Sequence, residues 1–240
     1  MSGTVTQAQC PICGRDGGET IAVGGMTITA CCDRCEADKQ ERWAEEQEHK
    51  AKMERLAVWE SVCDANFRRF DPSHPSMNPA FGDAYKQFDP VCRQGLCLIG
   101  EPGIGKTHVA LWCLKKCLDS GLSIAKVKHS EFAKMAATLA KGYGNTNGEN
   151  KAHHIADTKI KLLHTAGAVL IDDVCKGRKT PTSEEAFYNL LDYRVNHRKI
   201  TIWTANGGDR WLVKHFDEEY GESIVRRLST NTMVKTSRKA

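Results

Sequence analysis

The sequence predicts an α/β fold with a doubly wound parallel sheet, preceded by a small cysteine-rich module. Three observations lead to this prediction. Apolar runs near residues 96–99, 124–128, 168–172 and 200–204 alternate with segments of helical periodicity, as in sheets built from strand-helix-strand units. A glycine-rich turn follows the first of these runs, and two closely spaced cysteine pairs stand near the amino terminus.

The composition is that of an ordinary globular protein. The chain has 240 residues, of which 40% are hydrophobic and 27% are charged, so a disordered chain is excluded. Its apolar runs, such as 167–171, are too short to cross a bilayer, and we expect no membrane partner. Eleven cysteines without a secretion leader indicate a reducing, cytoplasmic location. The net charge of +4 does not by itself indicate a nucleic-acid partner.

The two cysteine pairs predict a small zinc module. Cys10 and Cys13 are followed, after 18 residues, by Cys32 and Cys35. Two such pairs can close a tetrahedral Cys₄ site, which leaves no open position for catalysis, so the Zn²⁺ would be structural. The residues between the pairs read as a hairpin around Gly24-Gly25. Cys31 could replace Cys32 as a ligand, but we prefer Cys32 because its spacing from Cys35 mirrors that of the first pair.

A charged helix and a proline-rich break follow the zinc module. From Glu36 to about Phe67 the chain is rich in charges, with a narrow apolar stripe that predicts intramolecular packing. The stripe consists of Leu56, Trp59, Cys63 and Phe67. Three prolines between residues 71 and 79 then indicate a linker. We therefore divide the chain into an N-terminal module of residues 1–67, a linker of residues 68–79 and a second domain of residues 80–240.

The segment Gly100-Glu-Pro-Gly-Ile-Gly-Lys106-Thr107 fits the phosphate-binding P-loop without a mismatch. An apolar run precedes it and a helical pattern follows it, which is the context that the motif needs. We predict that Lys106 binds the β- and γ-phosphates of ATP, and that the hydroxyl of Thr107 binds Mg²⁺. The predicted nucleotide-binding residues of this loop are Gly100, Pro102, Gly103, Ile104, Gly105, Lys106, Thr107 and His108.

Two further strand ends carry polar groups suited to phosphate chemistry. The run 168–171 ends in Asp172 and Asp173. We expect Asp172 to support Mg²⁺, and Asp173 to orient or deprotonate the attacking water. The run 200–204 leads to Asn206, whose amide could hold that water or the γ-phosphate from the side opposite the P-loop.

Taken together, these motifs resemble the AAA+ ATPases of the DnaC/DnaI helicase-loader and IstB-like group, over about residues 80–238. The segment that narrows the match is Gly221-Glu-Ser-Ile-Val-Arg-Arg227-Leu228. The resemblance implies that Asn206 is the residue called sensor 1. It also implies that Arg227, or less favourably Arg226, is an arginine finger that reaches ATP bound by a neighbouring subunit. Arg238 is the remaining candidate for sensor 2.

The resemblance also implies partners. The segment between residues 130 and 143 would contact single-stranded DNA through Lys134, Lys141 and Tyr143. A zinc-bearing N-terminal module like that of DnaI-type loaders would dock on the hexameric replicative helicase. Self-association would bring ATP to subunit interfaces, and hydrolysis in isolation would be weak.

The function that follows is an ATP-dependent loader of a replicative DNA helicase. One alternative is an IstB-like ATPase that assists a transposase on duplex DNA. Another is a nucleotide-gated adaptor that binds ATP but scarcely hydrolyses it.

Overall fold

The computed structural model describes residues 5–23, 26–63, 78–143, 146–176, 180–207, 212, 214–216, 220–230 and 232–236. Within the chain, residues Met1–Val58 and Trp59–Ala240 form two compact units. The predicted linker lies almost wholly outside the described residues, and a helix begins at its last residue, Pro79. None of the described helices is both long enough and apolar enough to cross a membrane.

The first unit contains a three-stranded antiparallel sheet. Its strands are β1 (Val5–Gln9), β2 (Asp16–Val23) and β3 (Met26–Thr29), in that spatial order. The predicted hairpin is confirmed by the pairing of β2 with β3, while its turn, Gly24-Gly25, lies outside the described residues. Strand β1 was not predicted, because the sequence Val-Thr-Gln-Ala-Gln has little apolar alternation.

Helix α1 (Asp33–Val62) is the predicted charged helix, and it begins three residues earlier than expected. The predicted apolar stripe is only partly buried. Trp59 and Cys63 are buried, and the ring of Trp59 lies 5.6 Å from that of Trp112. Leu56, however, is 46% exposed, so its assignment to intramolecular packing was wrong. Phe67 lies outside the described residues.

The second unit is a parallel sheet with helices on both faces. Its five strands lie in the order β5-β6-β7-β4-β8, and every described pairing is parallel. The strands are β4 (Leu96–Gly100), β5 (Ile124–Lys128), β6 (Ala168–Val174), β7 (Ile200–Ala205) and β8 (Thr232–Thr236). The four predicted strands are all present. Strand β8 was missed because its residues are mostly polar.

The helices of this unit divide between the two faces. They are α2 (Pro79–Gln87), α3 (Lys106–Asp119), α4 (His129–Ala140), α5 (Asn147–Thr165), α6 (Pro181–Asn196) and α7 (Gly221–Leu228). Helices α2 and α3 pack with Leu98, Leu170 and Ile202 of the sheet. The other four pack with alternate strand residues such as Ile99 and Trp203. Because successive strand residues point to opposite faces, each apolar run supplies two cores.

A buried arginine joins α5, α6 and β7. Arg194 is 0% exposed. Its guanidinium donates to the carbonyls of Leu163 (2.7 Å), Ala166 (3.0 Å) and Ile200 (2.6 Å), and to the hydroxyl of Thr201 (3.0 Å). Burial lowers its pKa to about 10. The positive charge also lies at the carboxyl end of α5, where the helix dipole favours a cation.

We predict that Arg194→Met destabilises the protein by about 3 kcal/mol or more, because three buried carbonyls lose their donor. Urea denaturation of the purified chain measures this change. The control is Lys159→Met, an exposed position on α5, where a change within about 0.5 kcal/mol is expected. Equal midpoints for the two variants would contradict the assignment.

A second buried polar group lies in the aromatic core beside α4. The ring of His129 lies 4.7 Å from that of Phe187 and 6.0 Å from that of Phe216. Burial, and secondly the neighbouring His215, lower the pKa of His129 to about 4. The folded protein therefore holds this imidazole neutral at pH values where an unfolded chain would protonate it.

This pKa predicts a loss of stability in mild acid. Between pH 6.5 and pH 4 the unfolded chain binds a proton that the folded chain does not. The free energy of unfolding therefore decreases as the pH is lowered through this range. From pH 7 to pH 4.5 the wild type should lose about 2 kcal/mol more than His129→Phe. Urea denaturation at a series of pH values measures the difference, and parallel curves for the two proteins would exclude this histidine as the cause.

Candidate functional site

The P-loop forms the connection between β4 and α3. Gly103 and Gly105 have φ values of 82° and 90°, a left-handed region that residues with a side chain rarely adopt. Gly105 is the residue that caps α3, and no side chain accepts a hydrogen bond there. By contrast, α5 and α6 are capped by the hydroxyls of Thr146 and Thr180. The amino end of α3 therefore has no side-chain cap, and the helix dipole favours an anion there.

Lys106 folds back over the loop that precedes it. Its ammonium donates to the carbonyl of Gly100 at 2.9 Å and to that of Glu101 at 2.7 Å. Burial lowers the pKa of Lys106, and the charge of Asp173 opposes this effect. A phosphate held by the loop would meet a cation that is already oriented.

Asp172, at the carboxyl end of β6, accepts hydrogen bonds from two hydroxyl groups. Its Oδ1 accepts from Thr107 at 2.9 Å and from Thr204 at 2.6 Å, and the residue is 4% exposed. A carboxylate and a threonine hydroxyl are the hard oxygen ligands that Mg²⁺ prefers. Asp172 and Thr107 could therefore hold Mg²⁺ beside the phosphates, as their sequence positions predict.

Asp173 occupies a break in the sheet. Its φ is 56°, and the pairing of β6 with β7 shifts register between Ile171 and Val174. One carboxylate oxygen lies 3.5 Å from Nδ2 of Asn206, and the other forms a 3.0 Å ion pair with Lys176. The unusual backbone turns this carboxylate away from the ladder, next to the predicted sensor amide.

Two residues of this site were not predicted. Thr204 donates to Asp172 and accepts the N–H of Asp173 at 2.9 Å, so it fixes both acids. Its signal in the sequence is a polar residue inside the apolar run of β7. Lys176 pairs with Asp173, and nothing in its spacing indicated that contact.

The carboxyl edge of the sheet thus brings together five of the predicted residues. They are Lys106, Thr107, Asp172, Asp173 and Asn206. Gly100, Pro102, Gly103, Ile104, Gly105 and His108 belong to the same loop and its helix. Three strand ends and one helix start therefore supply the predicted groups, with the exception of Arg227.

Arg227 lies away from this group of residues. Its guanidinium donates to Asp192 at 2.5 and 2.9 Å and to the hydroxyl of Tyr188 at 2.9 Å. It also lies over the Tyr188 ring, 4.3 Å from the centroid. Arg226, by contrast, is exposed, and Arg238 lies outside the described residues.

The predicted DNA-contacting residues are all exposed. Lys134 lies on α4, and Lys141 follows it. Tyr143 is 73% exposed, and its ring lies 4.2 Å from that of His153 on α5. These side chains are accessible for contacts with a strand, and the structure joins them to a histidine that the sequence did not single out.

The N-terminal cysteines form a cluster that could bind a metal. The sulfur atoms of Cys10, Cys13, Cys32 and Cys35 all lie within 4.8 Å of one another. Four sulfur donors at such distances suit tetrahedral Zn²⁺. The N–H of Cys32, and secondly that of Cys13, lower the pKa of Cys10 to about 6, so this thiol readily becomes the thiolate that binds a metal.

Cys31 is not among the four clustered cysteines. Its thiol donates to a carboxylate oxygen of Glu36 at 3.0 Å, and this contact, first among the causes, raises the pKa of Cys31. The sequence left Cys31 and Cys32 as alternative ligands. The structure puts Cys32 in the cluster and gives Cys31 a different partner.

Comparison with known proteins identifies a relative in sequence. No family profile matches the chain. Over 137 residues the chain is 26% identical to an ATP-binding protein of insertion sequence IS21 from Pseudomonas aeruginosa. The match covers 56% of this chain and 47% of that protein, so the chain spans about half the length of this relative.

Several solved structures share the fold of two thirds or more of this chain. The DnaC helicase loader matches with a TM-score of 0.52 and 21% identity, over 75% of this chain and 98% of that one. DnaI matches with a TM-score of 0.52 and 16% identity, over 69% of this chain and 87% of that one. The replication initiator DnaA, bound to AMPPCP and single-stranded DNA, matches with a TM-score of 0.50 and 15% identity, over 67% and 45%. These matches confirm the predicted α/β fold with a parallel sheet.

We predict that Cys32→Ser abolishes zinc binding, whereas Cys31→Ser retains a zinc ion in each chain. The reason is that, of these two residues, Cys32 alone contributes its sulfur to the cluster of four sulfur atoms. Metal analysis after gel filtration measures the zinc content, and thermal melting with and without a chelator measures its effect on stability. Equal zinc loss in the two variants would show that the ligand set is different.

Proposed function

We propose that the chain is an ATP-dependent loader of a replicative DNA helicase. The observation that carries the ATP chemistry is the contact of Thr107 with Asp172 beneath a P-loop whose lysine is already oriented. In this arrangement the loop and its lysine would bind the triphosphate, while Thr107 and Asp172 would bind the accompanying Mg²⁺. The similarity of fold to DnaC and DnaI supports the choice of loader over other ATP-driven functions.

Each residue of the site has a role in the proposed hydrolysis. The loop N–H groups and Lys106 bind the β- and γ-phosphates. A bound Mg²⁺ would neutralise charge on the phosphate oxygens. Asn206 holds the water, whose oxygen attacks the γ-phosphorus while the bond to the bridging oxygen of ADP breaks. The proton of the water passes to Asp173, which can release it to solvent.

The proposed assembly brings ATP to subunit interfaces. Arg227 belongs to a different part of the fold from Lys106, so its guanidinium would act on ATP bound by a neighbour. The contact with Asp192 keeps it ordered until then. Hydrolysis by a single chain would consequently be weak.

We further propose that residues 1–67 dock on the helicase and that residues 80–240 bind ATP and single-stranded DNA. A zinc module held by four cysteines offers a rigid surface without needing a large core. The exposed Lys134 and Lys141 would meet phosphates, and Tyr143 would stack on a base. Among the known structures of this fold, DnaA bound to a single strand supports the DNA contact.

A second candidate is an IstB-like ATPase that assists a transposase on duplex DNA. The observation that favours it is the sequence similarity to an ATP-binding protein of an insertion sequence. Binding to double-stranded in preference to single-stranded DNA, without any binding to a helicase, would support this function over helicase loading.

A pull-down of the full chain against the hexameric replicative helicase of its own organism, with ATP or ADP, tests the proposal. We expect binding to the wild type and its loss in Cys10→Ser/Cys13→Ser, because the docking module needs its metal. The matched control is Cys31→Ser/Cys92→Ser, which changes two cysteines outside the cluster. Failure of the wild type to bind in either nucleotide would remove helicase loading and favour the transposition helper.

A further inference from the structure

Three aromatic rings form a row at the carboxyl ends of α5 and α6. The ring of Tyr193 lies 3.9 Å from that of His197, with an angle of 21° between their planes. On its other side it lies 5.3 Å from the ring of His164, at an angle of 72°. His197 is exposed, and the other two residues are half-buried. We call these three residues the aromatic row.

Hydrogen bonds to the backbone hold both imidazole rings of the row in place. Nδ1 of His164 donates to the carbonyl of Ile160 at 2.9 Å, and Nδ1 of His197 donates to the carbonyl of Tyr193 at 2.7 Å. A ring that is already ordered loses little entropy when a planar ligand stacks on it. The aromatic row is therefore a prearranged surface that ends in an exposed ring.

Two cationic residues directly follow the row in the sequence. Arg198 and Lys199 come immediately after His197. The ammonium of Lys199 donates to the carbonyl of Thr165 at 2.7 Å, and Thr165 is the residue after His164. This hydrogen bond places the ammonium at the carboxyl end of α5, beside the row. Aromatic and cationic groups thus share one part of the surface.

The cations continue into a cleft of about 540 Å³ at the amino ends of β4 and β7. Arg93 and Arg198 line it and are exposed, and Lys199 lines it and is half-buried. No acidic side chain is among its described lining residues. Arg93 and Arg198 have φ values of 53° and 48°, where glycine or asparagine would cost less free energy. The resulting positive potential beside the row favours phosphate groups.

Helix α5 connects the row with Tyr143, which belongs to the proposed DNA contact. The ring of Tyr143 lies 4.2 Å from that of His153, near the amino end of α5. Positions 153, 157, 161 and 164 follow one another at intervals of three or four residues, so they share one face of the helix. Lys161 is 72% exposed on this face, and it pairs with Asp157 at 2.8 Å. At about 1.5 Å per residue, His153 and His164 are roughly 16 Å apart along the axis.

We propose that the aromatic row is a second base-stacking site for a single-stranded nucleic acid, and that a strand bound at Tyr143 continues along α5 to reach it. This inference rests on the proposed binding of single-stranded DNA. Sites for single strands combine rings that stack on bases with cations that contact phosphates, and the row and its neighbouring cations supply both. At about 3.4 Å per nucleotide of a stacked strand, the two ring sites would be roughly five nucleotides apart.

The test measures binding of the full chain to fluorescent oligothymidine and oligouridine of about twelve nucleotides. We expect His197→Ala/Arg198→Gln to weaken binding at least about fivefold, because a stacked base and a phosphate lose their partners. The matched control is His49→Ala/Lys86→Gln, which removes one exposed histidine and one exposed cation elsewhere. Its affinity should stay within about twofold of the wild type. Equal affinities for the two double variants would overturn the inference.

An abasic oligonucleotide of the same length separates stacking on the ring from contact with phosphates. His197→Ala should weaken binding of oligothymidine and leave binding of the abasic strand unchanged. Arg198→Gln should weaken both, and the slope of log K against log salt should become shallower by about 0.7. If His197→Ala weakened both strands equally, the ring would have a structural role only and the inference would be wrong.

Tyr143→Ala distinguishes failure of this inference from failure of the proposed function. If the wild type bound no single strand, the proposed DNA contact would fail as a whole. If Tyr143→Ala weakened binding but His197→Ala/Arg198→Gln did not, this inference alone would fail. Tighter binding to a duplex than to either single strand would make the cations a contact for duplex phosphates and would also overturn it. The tighter of the two single strands identifies the ligand as DNA or RNA.

Discussion

The hydrogen bonds of the Asp172 carboxylate hold together the elements that form the candidate nucleotide site. One oxygen accepts hydroxyl groups from Thr107, in the first turn of α3, and from Thr204, at the end of β7. These two hydrogen bonds therefore connect the P-loop helix α3 with strands β6 and β7. This connection is possible because β7 lies between β4 and β6 in the sheet. A buried carboxylate is tolerated only when it is hydrogen-bonded, and here the same bonds hold the groups that would bind Mg²⁺ and phosphate.

The parallel sheet separates two kinds of charge. Carboxylates collect where β6 ends, and cations collect where β4 and β7 begin. Because the five strands of this sheet run in the same direction, a residue that directly follows one of them lies at one edge and a residue that directly precedes one lies at the other. The common direction of these strands therefore places the two kinds of charge at opposite edges of the sheet.

The N-terminal unit obtains order by a different route. Its three short strands offer little apolar surface, and the cysteines converge within 4.8 Å. In so small a unit, the free energy of metal binding can exceed the entropic cost of ordering the chain. A neighbouring position in the sequence is not enough for membership of this cluster. Cys31 directly precedes the predicted ligand Cys32, but its thiol donates to Glu36.

The sequence alone determined what depends on neighbours along the chain. The P-loop, the two aspartates after β6, the cysteine knuckles and four strands were predictable because spacing and periodicity are local properties. Only the tertiary structure decided the rest. Strand β8 exists because an edge of the sheet was available to a polar segment. Arg194 is buried because three elements supply its acceptors. Arg93 and Arg198, far apart in sequence, line the same cleft because they precede two strands that pair side by side.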